Sequence, residues 1–219
     1  MTAPVLGIAD LLGRCGVIPV VAIGRAEDAP RLGEALVAAG LPCAEITLRT
    51  TAGLEAIELM RDTQPELLVG AGTVLTPEQA ARAIDSGAQF IVTPGFQAGV
   101  VATSLARSVP VFPGVVTPTE VIMALDAGLS ELKFFPAESA GGMAQLRALA
   151  GPFPGVRFIP TGGISMANLA AYLALPTVLA VGGSWMVRPE LLAAGDWAAV
   201  GALAADAVAA VSALRGKPA

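Results

Sequence analysis

Eight short apolar segments recur along the 219-residue chain, each followed by turn residues and then by a helical pattern. They have four to seven residues each, at 17–23, 43–48, 67–72, 89–92, 109–112, 131–135, 156–159 and 178–181. Segments this short and this apolar are typical of strands that are buried on both faces, as in a parallel sheet. The repetition therefore predicts eight interior strands.

The stretches between these segments have apolar residues at helical spacing. Thr76 and Thr117 each precede a proline, which places a hydroxyl at the helix N-cap and proline at the first helical position. Helices are predicted at 29–39, 54–60, 165–173 and 196–214, and also from Pro77 and from Pro118 onward. Strand and helix therefore alternate along the chain.

Eight strand–helix units favour a closed (β/α)8 TIM barrel over an open doubly wound sheet. A helix at 7–14 precedes the first strand and is expected to cover the bottom of the barrel. We find no linker or low-complexity tract, so we expect one barrel domain over residues 1–219.

Charged residues make up only 14% of the chain and hydrophobic residues 54%, whereas soluble domains have about 25% charged residues. This balance fits a heavily buried fold, an oligomer or a membrane protein. No charge occurs between Arg157 and Arg188, but glycine, proline and polar residues interrupt that segment. It therefore lacks the roughly 20 continuous apolar residues of a membrane span, and we expect no membrane contact.

The net charge of −5, without a Lys/Arg cluster, argues against nucleic-acid binding. No secretory signal pattern is visible at the N-terminus, so a cytoplasmic location is expected. Cys15 and Cys43 are expected to be buried, reduced thiols. The chain has no histidine, which excludes Ser-His-Asp and Cys-His catalytic sets and histidine metal sites; we expect no metal.

Lys133 is the most informative single residue, because the chemistry of such barrels lies at the carboxyl ends of the strands. The chain has two lysines, and the other, Lys217, lies among the last three residues. Burial in an apolar strand disfavours the charged ammonium and favours the neutral amine, which can attack a carbonyl to form a Schiff base. The alternative is a strand-end lysine that reaches water or pairs with Glu131.

Two further charged residues belong to the second strand region. Glu45 lies within the strand and needs a partner or a role; without histidine it is the natural proton shuttle, and the alternative is a structural salt bridge. Glu138 is a second candidate for the proton shuttle, although we expect it to order its loop.

Arg49 can hold a carboxylate in bidentate fashion, with a surface ion pair as the alternative. Thr73 can add a hydroxyl or backbone donor, or it is a simple turn residue.

Gly-Gly pairs follow the last two predicted strands, at Gly162-Gly163 and at Gly182-Gly183. In barrels this is the usual phosphate site, where backbone N–H groups and a helix N-terminus face the anion. Ser184 would add a hydroxyl. Pro94, Pro113 and Phe135 are expected to form an apolar rim near the amine. The alternative is that they pack in the core.

With these residues assembled, the chain resembles the 2-keto-3-deoxy-6-phosphogluconate (KDPG) aldolase family over nearly its whole length. The segments that carry the resemblance are EITLRT at 45–50, VGAGTVL at 69–75, KFFPAE at 133–138, AGPF at 150–153, PTGGIS at 160–165 and GGSW at 182–185. The related 6-phosphogalactonate branch tends to lack the threonine at the position of Thr161 and the GGSW ending. The resemblance therefore favours the gluconate branch, with the galactonate branch as the alternative.

The resemblance implies a Schiff-base reaction that yields pyruvate and glyceraldehyde 3-phosphate. Lys133 would form the Schiff base with the C2 ketone. Glu45, through a water molecule, would remove the C4 hydroxyl proton and later handle protons for the enamine. Arg49 and Thr73 would hold the carboxylate of the substrate. No metal or organic cofactor would be needed.

The resemblance also implies the remaining roles. Thr161 and Phe135 would line the substrate channel, and the phosphate would bind to Gly162, Gly163, Gly183 and Ser184. Members of the family often also cleave 4-hydroxy-2-oxoglutarate, to pyruvate and glyoxylate. They are typically homotrimers, and the low charge content is consistent with a sizeable buried interface.

Two other functions are less consistent with the residues. A phosphosugar isomerase or epimerase commonly uses histidine, or a metal held by histidine, and would leave Lys133 unexplained. A non-covalent phosphosugar-binding barrel, derived from an enzyme, would be expected to have lost Lys133, Glu45 or Arg49, and all three are present.

Overall fold

A computed structural model describes residues 7–216, in which parallel strands and helices alternate. The strands are β1 Val17–Val21, β2 Cys43–Thr47, β3 Leu68–Gly72, β4 Phe90–Val92, β5 Val111–Phe112, β6 Gly114–Val115, β7 Glu131–Phe134, β8 Arg157–Pro160 and β9 Val181–Gly183. The helices are α1 Ile8–Cys15, α2 Ala29–Ala38, α3 Gly53–Thr63, α4 Pro77–Asp85, α5 Ala98–Ala106, α6 Pro118–Asp126, α7 Gly142–Ala150, α8 Met166–Leu173, α9 Pro189–Ala194 and α10 Trp197–Arg215.

The strands close into a barrel, which confirms the predicted (β/α)8 fold. One sheet has the order β5-β4-β3-β2-β1-β9 and another the order β6-β7-β8, and every pair is parallel. Strand β5 lies within the fifth predicted segment, 109–112, whereas β6 lies beyond it, after an interruption at Pro113, which has no N–H to donate. Bridges from Phe158 to Val178 and from Thr161 to Gly182 join β8 to the β9 segment.

The predicted helix starts have the expected capping chemistry. The Thr76 side chain accepts a hydrogen bond from the Gln79 N–H at 3.2 Å at the start of α4. Thr117 and Glu120 form a reciprocal capping box at the start of α6. Helices α5, α7 and α9 are additional to those predicted from helical spacing.

The last strand begins later than predicted, at Val181 rather than at residue 178. Val178 bridges to Phe158 of β8, whereas Val181 pairs with Val17 of β1. The segment bridges to β8 at Val178 and to Thr161 at Gly182, but its pairing with β1 begins only at Val181, and hydrophobicity alone does not show where that pairing begins.

Helix α1 precedes β1 and lies at the amino ends of the strands, as predicted. Its Leu12 side chain is fully buried, and Asp10 pairs with Arg157, the first residue of β8, at 3.3 Å. The helix therefore covers the bottom of the barrel. The expected burial of both thiols is right for Cys43 and wrong for Cys15, which is only partly buried where α1 ends; both are free thiols.

Helix α10 is long and apolar enough, with a mean hydropathy of 1.7, to cross a membrane by length and composition alone. In the fold it packs against α2, α8 and β1. Its buried residues, at helical spacing, are Val200, Ala204, Ala207 and Val211. This packing makes the helix part of the outer layer of the barrel.

Candidate active site at the carboxyl ends of the strands

A cavity of about 270 Å³ opens at the carboxyl ends of the barrel strands. It brings together eleven of the twelve predicted site residues: Glu45, Arg49, Thr73, Pro94, Lys133, Phe135, Thr161, Gly162, Gly163, Gly183 and Ser184. Val20, Thr47, Ile164 and Gly182 also line it. Pro113 does not; it is buried between β5 and β6, and its carbonyl accepts a hydrogen bond from the Lys133 N–H at 2.9 Å.

Lys133 extends from β7 into the floor of this cavity. The residue is 5% exposed, and its Nζ lies 3.2 Å from Oε1 of Glu45. The ring centre of Phe135 is 5.2 Å from the same nitrogen. Glu131, the alternative partner considered from the sequence, instead binds Arg157 at 2.9 Å. Lys133 is therefore a buried amine beside a single buried carboxylate.

The Glu45 carboxylate is held in place by the neighbouring strand. Glu45 lies in β2 and is 3% exposed. It pairs in register with Gly70 of β3, and Gly72 lies two residues farther along that strand. A Cβ atom at Gly72 would lie 2.1 Å from Glu45 Oε1, so any larger residue there would displace the carboxylate. Sequence reasoning did not single out Gly72, although glycine inside a strand often marks such a close approach.

Arg49 points its guanidinium into the cavity from the loop after β2. Its Nε donates to Oγ1 of Thr47 at 3.2 Å, and Thr47 in turn donates to the carbonyl of Val21 at 2.7 Å. Among residues 7–216, Arg49 forms no ion pair. The surface ion pair considered as an alternative is therefore not found, and the positive charge is available to an anion in the cavity.

Thr47 is a second residue that sequence reasoning missed. It is 1% exposed, and a polar residue buried in a strand needs hydrogen-bond partners. That requirement was the available signal. Thr73, by contrast, was predicted; it follows β3 with φ +56°, a left-handed conformation that is uncommon for threonine and is found at functional sites.

Two glycine pairs form the opposite wall of the cavity: one is the turn after β8, and the other lies within β9 rather than after the last strand as predicted. Gly162 and Gly163 have φ +100° and +79° and lead from β8 into α8. Gly182 bridges to Thr161, and a Cβ on Gly182 would lie 2.3 Å from the threonine Oγ1. The Trp185 ring packs against Gly183, where a Cβ would approach it within 1.8 Å. The two glycine pairs place backbone groups and the N-terminus of α8 at one end of the cavity, an arrangement suited to an anion.

A larger cavity of about 720 Å³ lies at the other end of the barrel, beside α1 and the end of α10. Arg14, Arg157 and Arg215 line it, with none of the predicted site residues. Among residues 7–216, no group of three or more Cys, Asp or Glu side chains could hold a metal ion. The chemistry that the structure brings together is therefore at the carboxyl ends of the strands.

The sequence and the fold are similar to those of known proteins. A family model described as "KDPG and KHG aldolase" matches residues 8–203. The chain is 52% identical over 196 residues to the 2-dehydro-3-deoxy-phosphogluconate aldolase of Treponema pallidum, covering 90% of this chain and 93% of that protein. It is 46% identical over 192 residues to the KHG/KDPG aldolase of Escherichia coli K12, covering 88% of this chain and 90% of that protein.

Among solved structures, the fold superposes on KDPG aldolase from Legionella pneumophila with a TM-score of 0.88 and 40% identity. The match covers 92% of this chain and 98% of the other. That structure holds pyruvate, captured at low pH as a covalent carbinolamine intermediate.

Proposed function

The chain belongs to the KDPG and KHG aldolase family, and we propose that it cleaves 2-keto-3-deoxy-6-phosphogluconate to pyruvate and glyceraldehyde 3-phosphate. The observation that carries this proposal is the buried Lys133–Glu45 pair, with Nζ and Oε1 3.2 Å apart, at the floor of a cavity at the carboxyl ends of the strands. A buried amine beside one carboxylate fits Schiff-base formation with an adjacent proton acceptor.

The first steps join Lys133 to the substrate. Glu45 accepts a proton from the ammonium, and the neutral amine adds to the C2 ketone to give a carbinolamine. Glu45 returns this proton to the departing hydroxyl, so that water leaves, the iminium forms and the carboxylate is regenerated. The short distance between Nζ and Oε1 supports this transfer, because proton transfer requires hydrogen-bond contact or one bridging water.

Cleavage of the C3–C4 bond follows. Glu45, directly or through a water molecule, takes the proton of the C4 hydroxyl; the C3–C4 electron pair moves into the iminium, which becomes an enamine, and the aldehyde leaves. The enamine then takes a proton at C3, and hydrolysis of the iminium releases pyruvate and the free Lys133 amine. Because the iminium accepts the electron pair, the reaction needs no metal as electron sink.

The carboxylate of the substrate binds at Arg49 and Thr73. The guanidinium lines the cavity without an acidic partner among residues 7–216, and it can bind a carboxylate with two parallel hydrogen bonds. This contact fixes the C2 ketone relative to Lys133. Pro94, Phe135 and Thr161 complete the lining of the substrate channel.

The phosphate binds at the other end of the cavity, to the backbone of Gly162, Gly163 and Gly183 and to the Ser184 hydroxyl. Left-handed glycines and the N-terminus of α8 support this assignment. The same residues would also cleave 4-hydroxy-2-oxoglutarate to pyruvate and glyoxylate, because that substrate has the same 2-keto acid group. It has no phosphate and would not use the glycine end of the cavity.

We also propose a homotrimer, one barrel domain over the whole chain, and a cytoplasmic location. Helix α6 supports the oligomer: Ile122, Met123 and Leu125 are 39–49% exposed, and Leu105 of α5 is also exposed. Apolar side chains that cluster on a surface commonly mark an interface between proteins.

The function is tested by coupling pyruvate release to lactate dehydrogenase with three substrates in parallel. We expect rapid cleavage of the phosphogluconate substrate, slower cleavage of 4-hydroxy-2-oxoglutarate, and little of the phosphogalactonate epimer. Preferential cleavage of the galactonate epimer would move the chain to the other branch of the family. Binding of all three without pyruvate release would support the non-covalent phosphosugar-binding barrel instead.

A further inference from the structure

Tyr172 and Glu138 form a hydrogen-bonded pair that the proposed mechanism does not use. Tyr172 is the only tyrosine of the chain and is completely buried in α8. Its hydroxyl donates to Oε1 of Glu138, in the loop that follows the Lys133 strand. The pair therefore links the loop after β7 to the helix that follows the Gly162-Gly163 turn.

Glu138 also contacts that glycine turn directly. A Cβ atom at Gly163 would lie 2.6 Å from both Cβ and Cγ of Glu138, so the stem of the glutamate packs against the glycine. The Glu138 N–H donates to the Gly162 carbonyl at 3.0 Å, and the Ala137 N–H donates to the Thr161 carbonyl at 2.8 Å. The loop after β7 thus supports the turn along one side.

The first turn of α8 holds the glycine turn from the other side. Asn168 donates from Nδ2 to the Gly163 carbonyl at 3.0 Å and accepts from the Ser165 N–H at 2.8 Å. Asn168 and Tyr172 are four residues apart, which places both on the same face of the helix. Gly163 is therefore held between Asn168 and Glu138, and Tyr172 joins the two sides.

The two glycines need such support, because glycine restricts its own backbone less than any other residue. Burial and the bond to Glu138 raise the pKa of Tyr172 above its ordinary value, and a tyrosine hydroxyl is already a protonated donor at neutral pH.

We propose that Tyr172 and Glu138 are positioning residues that hold the Gly162-Gly163 turn in its anion-binding conformation and thereby set the preference for phosphorylated over unphosphorylated 2-keto acid substrates. The inference rests on the proposed function. It does not require either side chain to touch the substrate. Its consequence is selective: loss of the support should impair only substrates that use the phosphate end of the cavity.

The test compares two substrates that differ in the phosphate. Tyr172→Phe removes only the hydroxyl, and we expect KM for 2-keto-3-deoxy-6-phosphogluconate to rise about tenfold, the value of one hydrogen bond to a charged group. KM for 4-hydroxy-2-oxoglutarate and both kcat values should stay within about twofold. Glu138→Ala should act like Tyr172→Phe or more strongly, and Glu138→Gln, which keeps the stem and the acceptor oxygen, should restore the wild-type preference.

A matched control removes another buried hydroxyl far from the cavity. Ser104 of α5 is completely buried and donates to the Val100 carbonyl at 2.9 Å. Ser104→Ala should leave the ratio of the two KM values unchanged, and melting curves establish that each variant is folded. Inorganic phosphate gives a direct probe: its dissociation constant, measured by calorimetry, should rise in Tyr172→Phe and not in Ser104→Ala.

Three results distinguish the outcomes. Equal loss on both substrates, or no change on either, would overturn the positioning role while the proposed function stands. Failure of the wild-type protein to release pyruvate from either substrate would overturn the proposed function. In that case the phosphate titration still decides the role of Tyr172, and equal phosphate affinity in wild type and Tyr172→Phe would contradict it.

Discussion

At the scale of single residues, the chemistry is concentrated in one ion pair that the protein has almost removed from water. Lys133 and Glu45 are 5% and 3% exposed, and they come from strands on different parts of the barrel. A buried pair of this kind seldom adds net stability, because desolvation of both charges offsets their attraction. Its location in a cavity with Arg49 supports the catalytic use proposed above.

Replacement of Glu45 tests its part as the proton shuttle. Glu45→Gln keeps the shape of the side chain but cannot accept the proton, and we expect kcat for cleavage to fall about 10²- to 10⁴-fold. Pyruvate release from 2-keto-3-deoxy-6-phosphogluconate measures this. Glu131 of β7 binds Arg157 away from the cavity. Glu131→Gln is therefore the control and should keep near wild-type activity. Similar kcat values for the two variants would remove Glu45 from the mechanism.

Thr47 accepts a hydrogen bond from Arg49, and loss of its hydroxyl should weaken binding of the substrate carboxylate. The effect should be the same for 2-keto-3-deoxy-6-phosphogluconate and for 4-hydroxy-2-oxoglutarate. Thr47→Val leaves the Arg49 Nε and the Val21 carbonyl without their partner, and we expect KM to rise about three- to tenfold for both substrates. Thr47→Ser restores the hydroxyl and should restore KM. Steady-state kinetics with both substrates measure the effect; a KM rise for the phosphorylated substrate alone would contradict this role.

At the scale of the elements, the positions of strand glycines decide where side chains fit. Gly72 of β3 lies where its Cβ would meet the Glu45 carboxylate at 2.1 Å. This contact crosses between two strands, so its cause lies in the strand register, which pairs Thr47 with Gly72 and Glu45 with Gly70.

A methyl group at Gly72 should therefore damage activity more than stability. We expect Gly72→Ala to lower kcat at least about 100-fold by displacing the carboxylate, with a loss of about 1–3 kcal/mol in the free energy of unfolding from overpacking. Activity assays and urea unfolding measure the two effects. Gly155→Ala is the matched control, because its Cβ would meet no atom within 4 Å; equal activity of the two variants would contradict the argument.

The alternation of strands and helices could be predicted because most strands lie in short, mainly apolar segments and several helices have clear start signals. The start of β9 could not: the predicted segment begins at residue 178, but pairing with β1 begins only at Val181. Lys133 and Glu45 could be predicted because a charged residue in an apolar strand is conspicuous in the sequence. Thr47 and Gly72 could not. Their importance depends on which atoms of neighbouring residues they meet.

At the scale of the whole molecule, the barrel separates stability from chemistry. Helix α1 covers the amino ends of the strands, and the cavity with Lys133 opens at the carboxyl ends. The outer helices also leave apolar side chains exposed, with Ile122 of α6 at 49% and Leu105 of α5 at 45%. A chain with so few charges can bury such a surface in an oligomer at little desolvation cost.

The homotrimer is tested by native mass. Sedimentation equilibrium should give about three times the chain mass of 21.9 kDa, and Ile122→Glu should shift the mass toward that of the monomer, because a charge would be buried in the interface. Glu58→Gln, an exposed position on α3, should not change the mass. A monomer for the wild-type protein at micromolar concentration would overturn the trimer.

The central claim, a Schiff base on Lys133, is tested most directly by borohydride reduction in the presence of pyruvate, followed by intact and peptide mass spectrometry. We predict one reduced pyruvyl adduct per chain, on the peptide that contains Lys133, and none in Lys133→Arg. Lys217, the other lysine, lies outside the described residues. No adduct, or an adduct on Lys217 alone, would contradict the Schiff-base mechanism.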